Sequence, residues 1–309
     1  MSTRLLWLVP LLLGSCLLLI AQKPDELTTL SVDVTRVMLY ITVRDNKAGI
    51  VGDLVKDQFT VLENGKPQKI LSFDRDDVPV AIGLLVDNSG SMLNKRGEVI
   101  EAAKAFVNAT NPADEIFVLH FNEQLTYGLP KDVPFTGDRA LLGEALDRVR
   151  LTGRTALYDA ISEGLRRLRQ SKLTKRALIV ISDGGDNFSK ITDDAVVEQA
   201  DLIGALFYGI GIYDPHDGDA SPGVLRELAK KTGGEAFFPE QLDQVRTICG
   251  VIARELRTQY AVAYKPPVES KNDYRKVEVK VKDVLGRKLT VRTRTGYYTK
   301  SLFEGGETK

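Results

Sequence analysis

The spacing of apolar residues divides the 309-residue chain into a central region and two flanks. In the flanks, residues 28–75 and 259–300, apolar and polar positions alternate with a period of two, which is typical of half-buried β-strands. The dipeptide Asn64-Gly65 follows the apolar run 59–62 and is a strong signal for a two-residue hairpin turn. Both flanks are therefore predicted to be β-structure.

In the central region, residues 79–258, strand patterns alternate with helix patterns. Continuous apolar runs, which are typical of strands buried on both faces, occur at residues 80–86, 115–121, 177–182 and 205–212. Between and after these runs, apolar residues recur every three to four positions, as in amphipathic helices. The alternation predicts an α/β domain with a doubly wound, mostly parallel sheet that is covered by helices on both faces.

Each flank is too short to fold alone, because two or three strands with one apolar face are marginally stable by themselves. Packing the two apolar faces against each other would bury both of them. We therefore predict that the N-terminal β segment, 28–75, pairs with the C-terminal β segment, 259–300, in a small β-sandwich. The α/β domain, 79–258, would be inserted between the two segments.

The first 21 residues have the pattern of a secretory signal peptide. Arg4 is followed by an apolar run from residue 5 to residue 21. An uncleaved membrane anchor is the alternative, since this run of 17 residues is at the short end for a spanning helix. Either reading predicts export, so that the chain is periplasmic, secreted or associated with the cell envelope.

The processing of this signal has two alternatives. Residues 13–16 fit a bacterial lipobox, which would attach a lipid anchor at Cys16. Cleavage near Ala21 would instead leave Cys249 as the remaining cysteine, and no intrachain disulfide would form. Contact with a membrane is predicted only through such an anchor or an uncleaved signal.

The overall charge argues against a nucleic-acid partner. The 42 basic and 42 acidic residues balance to a formal net charge of zero. Proteins that bind nucleic acid normally show a basic excess.

Oxygen-bearing side chains follow the first apolar run of the central region. Asp87, Ser89 and Ser91 lie in one loop directly after residues 80–86. Carboxylate and hydroxyl oxygens suit Mg²⁺, Mn²⁺ or Ca²⁺ and suit Zn²⁺ or Cu²⁺ poorly. For this motif alone, the alternative is a strand-to-helix turn whose hydroxyls cap the helix.

Two further candidates occupy equivalent places. Thr155 precedes an amphipathic helix pattern, and Asp183 follows the apolar run 177–182. Open α/β sheets bind ligands outside the carboxyl ends of their strands. Together with the Asp87 loop, these residues would bring two carboxylates and three hydroxyls to one edge of the sheet.

In this order and context the five residues resemble the von Willebrand factor A (VWFA) family. The metal-ion-dependent adhesion site (MIDAS) of that family is Asp-x-Ser-x-Ser, then a Thr in a later loop, then an Asp after a central strand. The resemblance covers residues 80–258 and departs at Arg154, where the family often has glycine. The matched positions are Asp87, Ser89, Ser91, Thr155 and Asp183.

The resemblance implies a Rossmann-like fold and a bound Mg²⁺, or Mn²⁺ or Ca²⁺ in its place. Ser89, Ser91 and Thr155 would bind the ion directly or through water, while Asp87 and Asp183 would hold coordinated waters and balance the charge. One coordination position would stay open for an Asp or Glu carboxylate of a protein partner. The implied function is binding and adhesion, without catalysis.

The flanks also resemble a known group. Residues 59–68 and 295–298 are similar to bacterial exported proteins described as VWFA-related, mainly from Acidobacteria. An alternative to a binding module is a cell-envelope assembly or scaffolding factor with a structural metal. A hydrolase is less favoured, because His120 lies inside an apolar run and Ser89 lacks the Gly-x-Ser-x-Gly elbow.

Overall fold

The computed structural model describes residues 36–45, 49–75, 77–148, 153–183, 185–213, 222–267 and 274–298. The predicted signal at residues 1–21, with Cys16, lies outside these ranges. Within them, no helix combines the length and the apolar character that crossing a bilayer requires.

The described ranges contain fifteen strands and six α-helices. The strands are β1 Val37–Asp45, β2 Gly49–Ile50, β3 Phe59–Glu63, β4 Lys66–Gln68, β5 Ile70–Asp74, β6 Val80–Asp87, β7 Glu115–Phe121, β8 Leu125–Tyr127, β9 Lys175–Ser182, β10 Leu206–Gly211, β11 Glu235–Phe237, β12 Tyr260–Tyr264, β13 Tyr274–Val281, β14 Leu289–Arg292 and β15 Gly296–Tyr298. The helices are α1 Arg96–Ala109, α2 Arg139–Asp147, α3 Leu157–Leu168, α4 Asp193–Ile203, α5 Pro222–Thr232 and α6 Gln244–Thr258.

The central sheet has the strand order β11-β10-β9-β6-β7-β8, and in the described chain only β8 runs antiparallel to its neighbour. Every residue of β6 is buried, which matches its continuous apolar sequence. Helices α1, α2 and α6 pack together as one layer, and α3, α4 and α5 form the other. The predicted doubly wound, mostly parallel sheet is confirmed.

Helix α3 packs closely against the middle of this sheet. Its apolar stripe is buried, and the stripe includes Gly164. A Cβ atom at Gly164 would lie 2.8 Å from a methyl group of Leu178 and 3.1 Å from one of Leu85, so glycine permits the close approach. At the start of α3, the backbone N of Ala156 donates to the carbonyl of Asn122, just past β7, at 2.9 Å. The N-terminus of α3 therefore lies at the carboxyl edge of the sheet.

Two antiparallel sheets enclose a second core. One has the order β14-β1-β12-β5, with β2 beside β1, and the other has the order β15-β13-β3-β4. Each sheet combines strands from both flanks of the chain, and apolar residues of both sheets form one buried cluster. The predicted β-sandwich built from the N- and C-terminal flanks is confirmed as part of the fold.

Strand β1 pairs with two C-terminal strands in succession. Residues 37–41 pair with β12, and residues 42–45 pair with β14. The hairpin β3–β4 turns at Asn64 and Gly65, whose φ angles are 48° and 77°. Positive φ at both turn positions is what a type I′ hairpin requires, and Asn-Gly meets this requirement at low cost.

A buried carboxylate joins the two sheets of the sandwich. Glu63 Oε2 accepts hydrogen bonds from the hydroxyls of Tyr264 and Tyr297, both at 2.7 Å. Its Oε1 accepts from Arg275 Nη1 at 2.9 Å. A buried charge is tolerated when it is paired and hydrogen-bonded in this way, and its partners lie on β12, β13 and β15.

A second buried carboxylate joins the sandwich to the α/β domain. Glu255 of α6 accepts through Oε1 from Thr42 Oγ1 at 3.1 Å and from the Tyr208 hydroxyl at 2.8 Å. Its Oε2 accepts from Arg292 Nη2 at 2.5 Å. The four side chains come from α6, β1, β10 and β14, so this cluster fixes how the sandwich sits on the domain.

Candidate metal centre

Asp87 ends β6 at the carboxyl edge of the central sheet. The register aligns Val86 of β6 with Ile181 of β9, which places Asp87 beside Ser182. The Ser182 hydroxyl donates to Asp87 Oδ2 at 2.6 Å. Alignment of two parallel strands thus fixes the position of a buried carboxylate that is only 1% exposed.

The loop after Asp87 brings two hydroxyls together. The backbone N of Ser89 donates to Asp87 Oδ1 at 2.8 Å, which closes a tight turn. The Oγ atoms of Ser89 and Ser91 lie 3.0 Å apart. Ser89 is buried, whereas Ser91 is exposed, and the fully buried Met92 anchors the loop where it leads toward α1.

The Thr155 loop lies directly against this turn. The backbone N of Gly90 donates to the carbonyl of Gly153 at 3.1 Å. Gly153 has a φ of 81°, a conformation that favours glycine. Thr155 is 4% exposed, and its hydroxyl makes no hydrogen bond to any residue that the structure describes.

Side chains after β9 hold the Thr155 loop in place. Asp186 Oδ1 accepts from the backbone N of Leu157 at 2.8 Å, which caps the first turn of α3, and from Ser189 Oγ at 2.6 Å. Asn187 Oδ1 accepts from the backbone N of Thr155 at 2.9 Å. Sequence reasoning did not find these roles, although Asp186 stands in the same polar stretch as Asp183.

Asp183 follows β9 and is 3% exposed. Lys95, in the turn before α1, approaches Asp183 Oδ2 with its Nζ at 3.4 Å and donates to the carbonyl of Ile212 at 3.1 Å. One ammonium group therefore lies beside a pair of buried carboxylates, Asp87 and Asp183. The sequence contained no pattern that pointed to Lys95.

The candidate centre carries excess negative charge. Burial raises the pKa of Asp87 to about 6; the nearby carboxylate of Asp183 adds to the rise, and the hydrogen bond from Ser182 opposes it. A bound cation would offset this cost by stabilising the ionised carboxylates.

The five predicted residues fit a hard divalent cation. Neighbouring ligands of an octahedral ion with metal–oxygen bonds of about 2.1 Å are about 3.0 Å apart. The Ser89–Ser91 oxygen separation of 3.0 Å has this value. Within the described ranges, no group of three or more Asp, Glu, His or Cys side chains is placed to hold a metal, so this donor set rests on two carboxylates and on hydroxyls.

A buried polar network supports the Asp87 loop from behind. Asn88 donates through its backbone N to the carbonyl of Phe121 at 2.7 Å and through Nδ2 to His120 Nδ1 at 2.8 Å. His120 Nε2 donates to the carbonyl of Ala145 at 2.8 Å, and Arg96 Nη1 donates to Asn88 Oδ1. Both ring nitrogens of His120 are thus engaged, and burial lowers its pKa to about 4. His120 is a core residue, as its sequence context indicates.

Residues 82–185 match the family model of the von Willebrand factor type A domain. A curated protein of Borreliella burgdorferi, described as uncharacterized, is 29% identical over 123 residues, which cover 33% of this chain and 36% of that protein. The chain therefore spans about a third of the length of this relative.

Two solved structures of other proteins are similar to this chain. A von Willebrand factor type A protein from Catenulispora acidiphila matches with a TM-score of 0.53 at 13% identity, covering 84% of this chain and 73% of that chain. Proximal thread matrix protein 1 from the mussel byssus, with a zinc-occupied MIDAS motif, matches with a TM-score of 0.48 at 20% identity over 63% of this chain and 50% of that chain. The Catenulispora acidiphila structure has the same fold as this chain.

The buried His120 predicts an acid-sensitive fold. Its pKa is lowered from 6.5 to about 4, so the unfolded chain binds more protons between these values and stability falls as the pH falls through them. We expect the free energy of unfolding of the wild type, relative to His120→Gln, to drop by about 3 kcal/mol between pH 7 and pH 4. Urea unfolding with chelator present measures this difference, and parallel pH profiles for the two proteins would contradict it.

Proposed function

Because residues 82–185 form a von Willebrand factor type A domain, we propose that the chain is an exported binding module that holds a divalent cation and, through it, a carboxylate of a protein partner. Domains of this family are typically interaction modules without catalytic activity and often bind a divalent metal at a MIDAS motif. The metal, the carboxylate and the export of this chain are parts of the proposal.

The observation that carries the proposal is the oxygen cluster at the carboxyl edge of the sheet. Asp87 and Asp183 bring two buried carboxylates, and Ser89, Ser91 and Thr155 bring three hydroxyls. Ser91 is the exposed member, so the cluster opens to solvent on its side. Mg²⁺, which takes oxygen ligands and keeps several waters, is the proposed ion, with Mn²⁺ or Ca²⁺ as substitutes.

The roles proposed for the five residues are those that the family resemblance implies. The hydroxyls of Ser89, Ser91 and Thr155 would hold the ion directly or through water, while Asp87 and Asp183 would balance its charge. The ion would supply a positive centre for a partner Asp or Glu. Asp87 keeps its orientation through Ser182 and the Ser89 backbone, so this part of the cluster is already ordered.

A structural role for the ion is less well supported. Direct hydrogen bonds already join the loops: Gly90 binds Gly153, and Asp186 caps α3. These contacts need no ion. A hydrolase is also less well supported, because both ring nitrogens of His120, the histidine that the structure describes, are hydrogen-bonded in the core.

The proposal is tested by titrating the full chain with Mg²⁺ and Mn²⁺ in a calorimeter. We expect one binding site per chain. Ser91→Ala removes an exposed oxygen ligand and should weaken binding at least tenfold, or by about 1.4 kcal/mol. Asp87→Asn removes one of the two buried charges and should abolish measurable binding.

The matched control is Asp132→Asn, which removes an exposed carboxylate outside the cluster. Its affinity for the metal should equal that of the wild type. Thermal unfolding checks that each variant is folded. A wild type without a binding site, or an affinity that is unchanged in both Ser91→Ala and Asp87→Asn, would refute the proposal.

The Lys95 side chain should weaken metal binding. Its ammonium lies 3.4 Å from Asp183 Oδ2 and would repel a metal ion bound beside that carboxylate. We expect Lys95→Gln to bind Mg²⁺ about tenfold more tightly, which corresponds to about 1.4 kcal/mol. Lys172→Gln is the control, since it removes the same charge from an exposed position before the amino end of β9. Equal binding by Lys95→Gln in the same calorimetric titration would contradict the prediction, and weaker binding would show that Lys95 supports the site.

A further inference from the structure

A cleft of about 430 Å³ lies outside the metal centre, between helix α5, edge strand β11 and the chain around the end of β14. We call it the basic cleft. Its volume is in the range of ligand-binding pockets, roughly 300–1,000 Å³. Its lining includes Arg226, Lys230, Glu235, Phe238, Arg292 and Thr293.

The walls of the basic cleft are held by hydrogen bonds across it. Arg292 Nη1 donates to the carbonyl of Gly234 at 2.8 Å, and the backbone N of Thr295 donates to the carbonyl of Lys231 at 3.0 Å. A Cβ atom at Gly234 would lie 1.9 Å from the carbonyl oxygen of Phe207, so the backbone here is tightly packed. The cleft is therefore pre-formed, which lowers the entropic cost of binding a ligand.

Charge inside the cleft is unbalanced. Glu235 pairs with Arg44 at 3.1 Å and with Arg292 at 2.9 Å, and Arg292 also pairs with Glu255 at 2.5 Å. Two acids and two arginines thus neutralise each other. Arg226 and Lys230, one helical turn apart on α5, form no ion pair with any residue of the described chain. Counted over the described residues alone, they leave two positive charges at the cleft.

Arg226 is held in position by an aromatic ring. Its guanidinium carbon lies 4.2 Å from the ring centroid of Phe238, and Phe238 stacks on Tyr213 with centroids 5.4 Å apart. A guanidinium stacked on a ring still presents its N–H groups at the edge. The Thr293 hydroxyl is buried and has no hydrogen-bond partner among the described residues, so it offers a further polar contact.

The remaining lining favours an extended peptide over a small anion. Ala229, Ala236 and Val291 add apolar surface that a bare phosphate would leave uncovered. Strand β11 is the edge of the central sheet, and no described strand pairs with it on its outer side. Sheet edges recognise extended peptides through the backbone, while pockets beside the edge select side chains.

We propose that the basic cleft binds an extended segment of a protein partner in which acidic and apolar residues alternate. The acidic side chains contact Arg226 and Lys230, and the apolar side chains pack against Phe238 and its neighbours. This binding does not require the metal centre and would act as a second contact for an acidic partner.

The test uses the full chain and a fluorescein-labelled hexapeptide of alternating glutamate and valine, followed by fluorescence anisotropy in chelator and 50 mM NaCl. We expect saturable binding that weakens at least tenfold in the double variant Arg226→Gln, Lys230→Gln. The matched control is the double variant Lys231→Gln, Lys276→Gln, which removes two charges outside the cleft and should bind as the wild type does. A hexapeptide of lysine and valine should not bind.

Three results would overturn the proposal: no binding of the acidic peptide to the wild type, equal binding by the two double variants, or complete displacement of the peptide by millimolar inorganic phosphate, which would indicate a small-anion site. Arg226, Lys230 and Lys276 are exposed, and Lys231 is half-buried on α5. Thermal unfolding checks that the variants fold. Because chelator is present throughout, failure here leaves the metal proposal intact, and failure of the metal titration leaves this result intact.

Discussion

The register of β6 against β9 is the constraint on which the candidate centre depends. It places Asp87 next to Ser182, whose hydroxyl bonds the carboxylate at 2.6 Å, and it brings Asp183 to the same edge. A shift of one residue would turn every side chain of β6 to the opposite face of the sheet. Both faces are apolar and covered by helices, so packing with α3 at Gly164 helps to hold the register. The burial that fixes Asp87 also raises its pKa, so the site is costly without a cation.

A second carboxylate, Glu255, links the edge of the domain to the β-sandwich. It receives hydrogen bonds from Thr42, Tyr208 and Arg292, which belong to three different strands. Arg292 also forms part of the basic cleft, so the junction that orients the sandwich shapes that cleft as well. The sandwich is thus more than a support for the domain. It supplies one wall of a second surface whose charge suits an acidic partner.

The sequence predicted the fold class because continuous apolar strands and amphipathic helices leave periodic patterns. It also predicted the pairing of the two flanks, since neither can bury its apolar face alone. It did not predict that β1 divides its pairing between β12 and β14, because strand partners depend on contacts far apart in the chain. Asp87, Ser89 and Ser91 were recognisable from their spacing, whereas Lys95 and Asp186 reach the centre only through folding. From the sequence alone, a buried carboxylate such as Glu255 cannot be distinguished from an exposed charge on a helix, because its hydrogen-bond partners are not known.

The most direct test of the central claim is anomalous X-ray diffraction from crystals of the full chain grown with Mn²⁺. We expect an anomalous peak within coordination distance of the Ser89 and Ser91 hydroxyl oxygens, beside Thr155, with Asp87 and Asp183 around it. Crystals in which Mn²⁺ is absent from this position, while Ser89 and Ser91 remain hydrogen-bonded to each other, would contradict a metal site at these five residues.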